Sequence, residues 1–83
     1  MRYRWYLAVN ARWYTTPHKR RRLHIPEAGE RGFVEHKVKD KMFEVYVHTP
    51  GVEYRLAPPK KVLRTNCLFT AISHLLGSHR AAT

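Results

Sequence analysis

The sequence predicts a small α+β fold: an antiparallel β-hairpin or three-strand meander, one C-terminal amphipathic helix and an extended basic N-terminal arm. Three observations predict it. Apolar residues alternate along residues 43–56 on both sides of a Pro-Gly pair, apolar residues recur with helical spacing after Asn66, and residues 1–26 carry seven cations and no acid. A chain of 83 residues allows one small domain.

The arm, residues 1–26, differs in composition from the α+β module, residues 27–83, which has nine cations and all six acids. Alternation over residues 3–9 is compatible with a strand. Arginines without acids, followed by hydroxyl residues, are also typical of a mitochondrial targeting segment, and the run RWYT at residues 12–15 resembles a presequence processing pattern. Both interpretations of residues 1–14 stay open.

The second half of the arm is a basic run between Pro17 and Pro26. Proline disfavours helix on both flanks, so we expect an extended conformation. Residues 19–22 are four consecutive cations whose repulsion must be relieved by solvent or by phosphates. Because aromatic residues accompany them in an acid-free arm, we favour phosphate contact over a merely solvated run.

The module begins with a loop, after which the residues alternate between two faces as they do in a β-strand. Residues 33–39 are predicted as a strand that Asp40-Lys41 turns into the hairpin. In the hairpin, residues 43–48 and 52–56 are the two strands, and Pro50-Gly51 has the chemistry of a type II turn. Phe43, Val45 and Val47 are expected on the buried face.

The helix is predicted over residues 68–76. Asn66 or Thr65 is the N-cap candidate, and Gly77 stands where a helix-ending glycine belongs. An apolar stripe can cover the hairpin; its members are Leu68, Ile72, Leu75 and Leu76.

The helix start also raises a chemical possibility, because a helix N-terminus stabilises a thiolate. The string NCLFTAISHLLG at residues 66–77 resembles the cysteine-helix segment of ovarian-tumour-type (OTU) cysteine proteases, which runs Asp-Gly-Asn-Cys-Leu-Phe-x-Ala. It is also similar to the equivalent segment of the papain-like leader proteases of aphthoviruses. The resemblance implies that Cys67 is a nucleophile carried by the helix.

Two features separate the chain from those families. Arg64-Thr65 stand where the OTU pattern has Asp-Gly. The resemblance also implies a histidine base on a strand downstream of the cysteine, whereas His74 lies on the predicted helix that follows Cys67 directly. His74 would lie about 10 Å along the helix from Cys67, beyond hydrogen-bond reach. We therefore expect no enzymatic activity and a small, buried, inert cysteine, with the peptidase as the alternative.

Other site chemistry is not indicated. The six histidines are spread without ligand spacing, so we expect no metal site and no cofactor. A single cysteine favours a reducing compartment, and no apolar run is long enough for a membrane span.

The net charge of +10 indicates a polyanionic partner. We expect an RNA-associated structural subunit of a ribonucleoprotein particle, foremost a small organellar ribosomal protein, bound to ribosomal RNA and neighbouring proteins. Mitochondrial localisation is favoured, with the cytoplasm as the alternative. An adaptor for acidic proteins or anionic membrane surfaces remains open. The expected RNA-binding residues are Arg2, Arg4, Trp5, Arg12, Trp13, Tyr14, Lys19, Arg20, Arg21, Arg22, Lys60 and Lys61.

Overall fold

In a computed structural model, which describes residues 10–29, 31–49, 51–52 and 56–81, the chain forms a five-strand antiparallel sheet and one C-terminal helix. Strands adjacent in sequence are adjacent in the sheet, from β1 to β5. The elements are β1 (Arg12–Thr15), β2 (Arg21–His24), a 3-10 turn (Pro26–Ala28), β3 (Gly32–Lys37), β4 (Met42–Val47), β5 (Lys60–Thr65) and helix α1 (Leu68–Ala81).

The core lies between one face of the sheet and α1. Leu23, Val34 and Val45 are cross-strand partners on β2, β3 and β4, and all three are buried. The predicted helical stripe is confirmed, because Ile72, Leu75 and Leu76 are buried and Leu68 packs against them. α1 covers β3, β4, β5 and the 3-10 turn. No helix in the described ranges has the length and apolar character of a membrane span.

The strand predicted at residues 33–39 is present as β3, which ends at Lys37, so residues 38 and 39 belong to the turn. The hairpin has a different second arm. Both edges of β4 are hydrogen-bonded, one to β3 and the other to β5, so no edge is left for residues 52–56. Val52 and Leu56 lie in a bend and a turn, and residues 53–55 of the predicted arm lie outside the described ranges.

The turn at the predicted place is nevertheless present. Gly51 has φ +78°, which a type II turn requires of its third residue, and the Val52 N–H donates to the Thr49 carbonyl oxygen at 3.3 Å. The chain then continues to β5, whose sequence KKVLRT lacks the alternation that would predict a strand. β5 forms because it completes the edge of β4, and its exposed lysines suit an edge strand.

The described part of the predicted arm has an extended backbone, but it is paired into the sheet. Residues 12–15 are β1 and residues 21–24 are β2. Burial of Leu23 and Ile25 in the core explains this pairing. A tight turn joins the strands, with Lys19 at φ +62° and its N–H bonded to the Thr16 carbonyl. The possible strand at residues 3–9 lies outside the described ranges.

The predicted start of the helix at residue 68 is confirmed, but its N-cap residue and its C-terminal end are corrected. The residue before the helix is Cys67, whose carbonyl accepts the Ala71 N–H at 3.1 Å, so Cys67 is the N-cap in place of Asn66 or Thr65. Thr65 supports it, because its hydroxyl oxygen accepts the Cys67 N–H. At the other end, α1 continues through Gly77 to Ala81.

Replacing Gly77 by alanine tests the helix end. Alanine inside a helix is favoured over glycine by about 1 kcal/mol, so Gly77→Ala should raise the free energy of unfolding by about that amount in denaturant titrations. The matched variant Gly51→Ala should lower it by about 1 kcal/mol, because Gly51 has a left-handed φ with open space at its Cβ position. Destabilisation by Gly77→Ala would show that the helix ends at residue 77.

Candidate nucleic-acid interface

The sheet face that points away from α1, here called the outer face, carries charged side chains in register. A cross-strand row of five residues runs over all five strands; its members are Tyr14, Arg22, Glu35, Glu44 and Arg64. Two carboxylates therefore stand directly opposite each other on β3 and β4. Like charges in that position repel, so this sheet forms only if cations compensate them.

Glu35 is compensated by three cations. Its carboxylate accepts from Arg20 at 3.2 Å and from Arg22 at 3.1 Å, and the Lys37 ammonium lies 2.7 Å away. The cations come from the β1–β2 turn, β2 and β3. Glu35 is only 2% exposed, because these side chains cover it on what would otherwise be a solvent face.

Glu44 has its own set of donors. The Tyr46 hydroxyl donates to it at 2.8 Å, Lys61 at 3.2 Å and Arg64 at 2.9 Å. The Lys37 ammonium, 3.9 Å from Glu44, links the two carboxylates. Together they form one network, here called the carboxylate cluster, that joins four of the five strands and the β1–β2 turn.

The balance of burial and pairing sets the protonation of the carboxylate cluster. Burial alone would raise the pKa of Glu35, but hydrogen bonds from Lys37 and Arg22 outweigh it and hold the pKa below 4.5. Burial likewise acts to raise the pKa of Glu44, and hydrogen bonds from Tyr46, Lys61 and Arg64 bring it below 4.5. Both groups are ionised near neutral pH.

Aromatic rings lie beside the carboxylate cluster on the outer face. Phe33 stacks on Tyr46 with a centroid separation of 5.1 Å and an interplanar angle of 16°. The Arg22 guanidinium carbon lies 4.2 Å from the Phe33 centroid. Burial and the hydrogen bond to Glu44 raise the pKa of Tyr46 to about 12, so its hydroxyl stays a donor.

A depression of about 340 Å³, here called the loop end, lies where the β1–β2 and β3–β4 turns meet. Among the described residues, five cations line it and Glu35 and Asp40 are its only acids; the cations are Lys19, Arg20, Arg21, Lys37 and Lys39. Glu35 is already engaged by Arg20 and Lys37, and Asp40 by Arg64. Among the described residues, Lys19, Arg21 and Lys39 form no ion pair, so the loop end is strongly cationic.

The predicted RNA-binding residues have different environments. Arg2, Arg4 and Trp5 lie outside the described ranges. Arg12, Lys19, Arg20 and Arg21 are exposed, as are Lys60 and Lys61, while Arg22 is half-buried. Successive side chains of β2 point to opposite faces of the sheet, so the basic run is divided between them. Arg22 donates to Glu35 on the outer face, and the Arg21 guanidinium lies over the Trp13 ring on the other face.

The two described aromatic candidates lie on opposite faces. Tyr14 is on the outer face and 44% exposed. Trp13 packs against the core, with ring centroids of His36 and Phe43 at 5.8 Å and 6.3 Å, so part of its ring is occupied. Trp13 is half-buried on the same face as α1.

Sequence reasoning missed the residues that hold the site together. None of them was assigned to a site from the sequence; they are Glu35, Lys37, Glu44, Tyr46 and Arg64. Their cross-strand register depends on which strands pair, and the sequence does not show β5 as the partner of β4. Alternating acids on two adjacent predicted strands were the available signal.

Cys67 is exposed, which corrects the prediction of a buried, inert cysteine on the inner helix face. The physical reason is its N-cap position, ahead of the first buried helical turn. Hydrogen bonds from the Thr70 hydroxyl and from the backbone N–H groups of Thr70 and Phe69 lower the pKa of the thiol. In the described part of the chain, no three His, Cys, Asp or Glu side chains form a group that could hold a metal ion.

Comparison of the chain with models of protein families, with curated proteins and with solved structures found no match.

Replacement of Glu44 tests the carboxylate cluster. Glu44→Gln should lower the free energy of unfolding at neutral pH by about 2 kcal/mol, because charged hydrogen bonds are lost while the cations stay partly solvated. The pKa of Glu44 is depressed on folding, so this contribution is present above pH 4.5 and is lost as the pH falls through the folded-state pKa. Denaturant titrations across the acid range measure it.

Asp40→Asn is the matched control, since Asp40 also accepts from Arg64 but is 58% exposed. We expect a change of about 0.5 kcal/mol or less. Equal effects of the two variants would contradict a special role for the buried carboxylate.

Proposed function

We propose that the chain is an RNA-associated structural subunit of a ribonucleoprotein particle, and more specifically a small organellar ribosomal protein. The observation that carries the proposal is the loop end. The β1–β2 and β3–β4 turns, with the strand ends beside them, place five described cations around one depression of about 340 Å³. Three of these cations, Lys19, Arg21 and Lys39, are not committed to carboxylates of the described chain.

Phosphate is the anion that suits this arrangement. Cations placed close together repel, and a polymer with a charge at every residue relieves the repulsion while releasing its own counterions. Such binding depends on charge spacing and little on base sequence, which is what a structural subunit needs. The net charge of +10 adds long-range attraction to any polyanion.

The remaining parts of the proposal concern the protein's surroundings. The carboxylate cluster and the core give the loop end a fixed scaffold, and neighbouring proteins of the particle would contact surfaces that RNA leaves open. We retain the mitochondrion as the proposed location because of the composition of residues 1–14. The cytoplasm is the alternative location.

The salt dependence of RNA binding tests the loop end. The double variant Lys19→Gln, Lys39→Gln should bind single-stranded RNA more weakly and reduce the slope of log affinity against log salt concentration by about 1.4, for two lost phosphate contacts. Fluorescence anisotropy with a labelled oligonucleotide at several salt concentrations measures both quantities.

The matched control is Lys19→Arg, Lys39→Arg, which keeps both charges and should keep the slope. An unchanged slope in the glutamine variant would contradict phosphate contact at the loop end. Absence of RNA binding by the unaltered chain at low salt would contradict the proposed function as a whole.

A cysteine peptidase is the second candidate function, and the exposure of Cys67 with its lowered pKa is the observation in its favour. This candidate predicts reaction with a ubiquitin-vinyl electrophile and hydrolysis of a ubiquitin-derived substrate at neutral pH. An exposed thiol reacts with iodoacetamide in any case, so hydrolysis is the discriminating measurement. Cys67→Ser retains an N-cap side chain and should abolish hydrolysis; hydrolysis that persists in this variant, or is absent from the unaltered chain, contradicts the peptidase.

A further inference from the structure

A second depression lies on the outer face, with a volume of about 420 Å³. This is within the range of roughly 300–1,000 Å³ that small-molecule pockets occupy. Among the described residues, four rings line it together with one cation; they are Tyr14, His24, Phe33, His48 and Arg22. The described part of its lining includes no carboxylate. The chemistry differs from that of the loop end, because flat π-surfaces rather than multiple cations dominate.

Arg22 is held in place at the wall of this ring-lined depression. Its Nε donates to Glu35 at 3.1 Å, and its guanidinium carbon lies 4.2 Å from the Phe33 centroid. Phe33 is in turn stacked on Tyr46, whose hydroxyl is bonded to Glu44. The carboxylate cluster therefore fixes a planar cation before any ligand arrives, which reduces the entropy lost on binding.

Tyr14 supplies a second flat surface and is 44% exposed on the edge strand β1. Arg22 is its cross-strand partner, so both side chains stand in the same row of the outer face. Guanidinium planes and aromatic rings are the surfaces on which unpaired bases stack in RNA complexes. A base inside a duplex is already stacked on both sides and cannot enter such a depression.

We propose that the ring-lined depression takes an unpaired nucleobase of an RNA strand, stacked against Arg22 and Tyr14. This inference rests on the proposed RNA association and adds a preference for single strands over duplex. The phosphate contacts of the loop end hold either form of RNA. The ring-lined depression distinguishes between them.

The test compares single-stranded RNA with a duplex of the same length, by fluorescence anisotropy at one salt concentration. Tyr14→Ala should weaken single-strand binding between about fivefold and about a hundredfold, the range for loss of one base stack, and leave duplex binding unchanged. Tyr14→Phe keeps the ring and should bind as the unaltered chain does. Circular dichroism verifies that each variant is folded.

Arg22→Lys is the second variant, since lysine keeps the charge but has no planar surface. It should weaken single-strand binding while the salt slope stays constant. Equal binding of both RNA forms by the unaltered chain, or equal losses for both forms in Tyr14→Ala, would overturn the inference and leave the proposed function standing. A free mononucleotide that binds as tightly as the strand would overturn the assignment to RNA. No binding to either form at low salt overturns the proposed function as well.

Discussion

The structure depends on the electrostatic compensation of Glu35 and Glu44. These carboxylates face each other on the adjacent interior strands β3 and β4 and are almost completely buried, at 2% and 1% exposure. Without compensation the two carboxylates would repel each other, and each would also lose its solvation. Among the described residues, five cations and one tyrosine prevent this, and they come from the β1–β2 turn and from strands β2 to β5; the cations are Arg20, Arg22, Lys37, Lys61 and Arg64. The pairing of strands β2 to β5 and the ionisation of these two acids therefore require each other.

This compensation divides the basic residues into two groups with different uses. Cations that are paired with Glu35 or Glu44 stabilise the sheet, and because these acids partly neutralise their charge, such cations attract a polyanionic partner less. Lys19 and Lys39 have no acidic partner among the described residues, so their charges are not compensated there, and both line the loop end. A count of arginines and lysines cannot separate the groups. The positions of the side chains in the fold separate the two groups, and the location of the proposed RNA contacts is inferred from those positions.

The core on the opposite face explains why part of the basic arm joins the sheet. Leu23 and Ile25 are apolar residues in a cationic neighbourhood, and both are buried. Burial of two such side chains contributes a few kcal/mol, about 1.5–3 each, which helps to offset the ordering of a charged hairpin. Arg20 and Arg22 then reach Glu35, so the charge repulsion of the run is relieved inside the protein as well as by solvent or a ligand.

The sequence by itself determined the α+β class, the strand at residues 33–39, the buried face of β4, the Gly51 turn and the apolar stripe of the helix. These follow from local periodicity and turn chemistry, which act over a few residues. Only the tertiary structure decided that β5 rather than residues 52–56 pairs with β4, and that Arg12–Thr15 and Arg21–His24 are strands. It also decided that Cys67 is the N-cap of the helix and that the helix continues past Gly77. The tertiary structure also decided that Lys19 and Lys39 line one depression and that Glu35 stands opposite Glu44. The physical reason is that an edge strand rich in lysine, or a charge pair across strands, gains its stability from partners far along the chain.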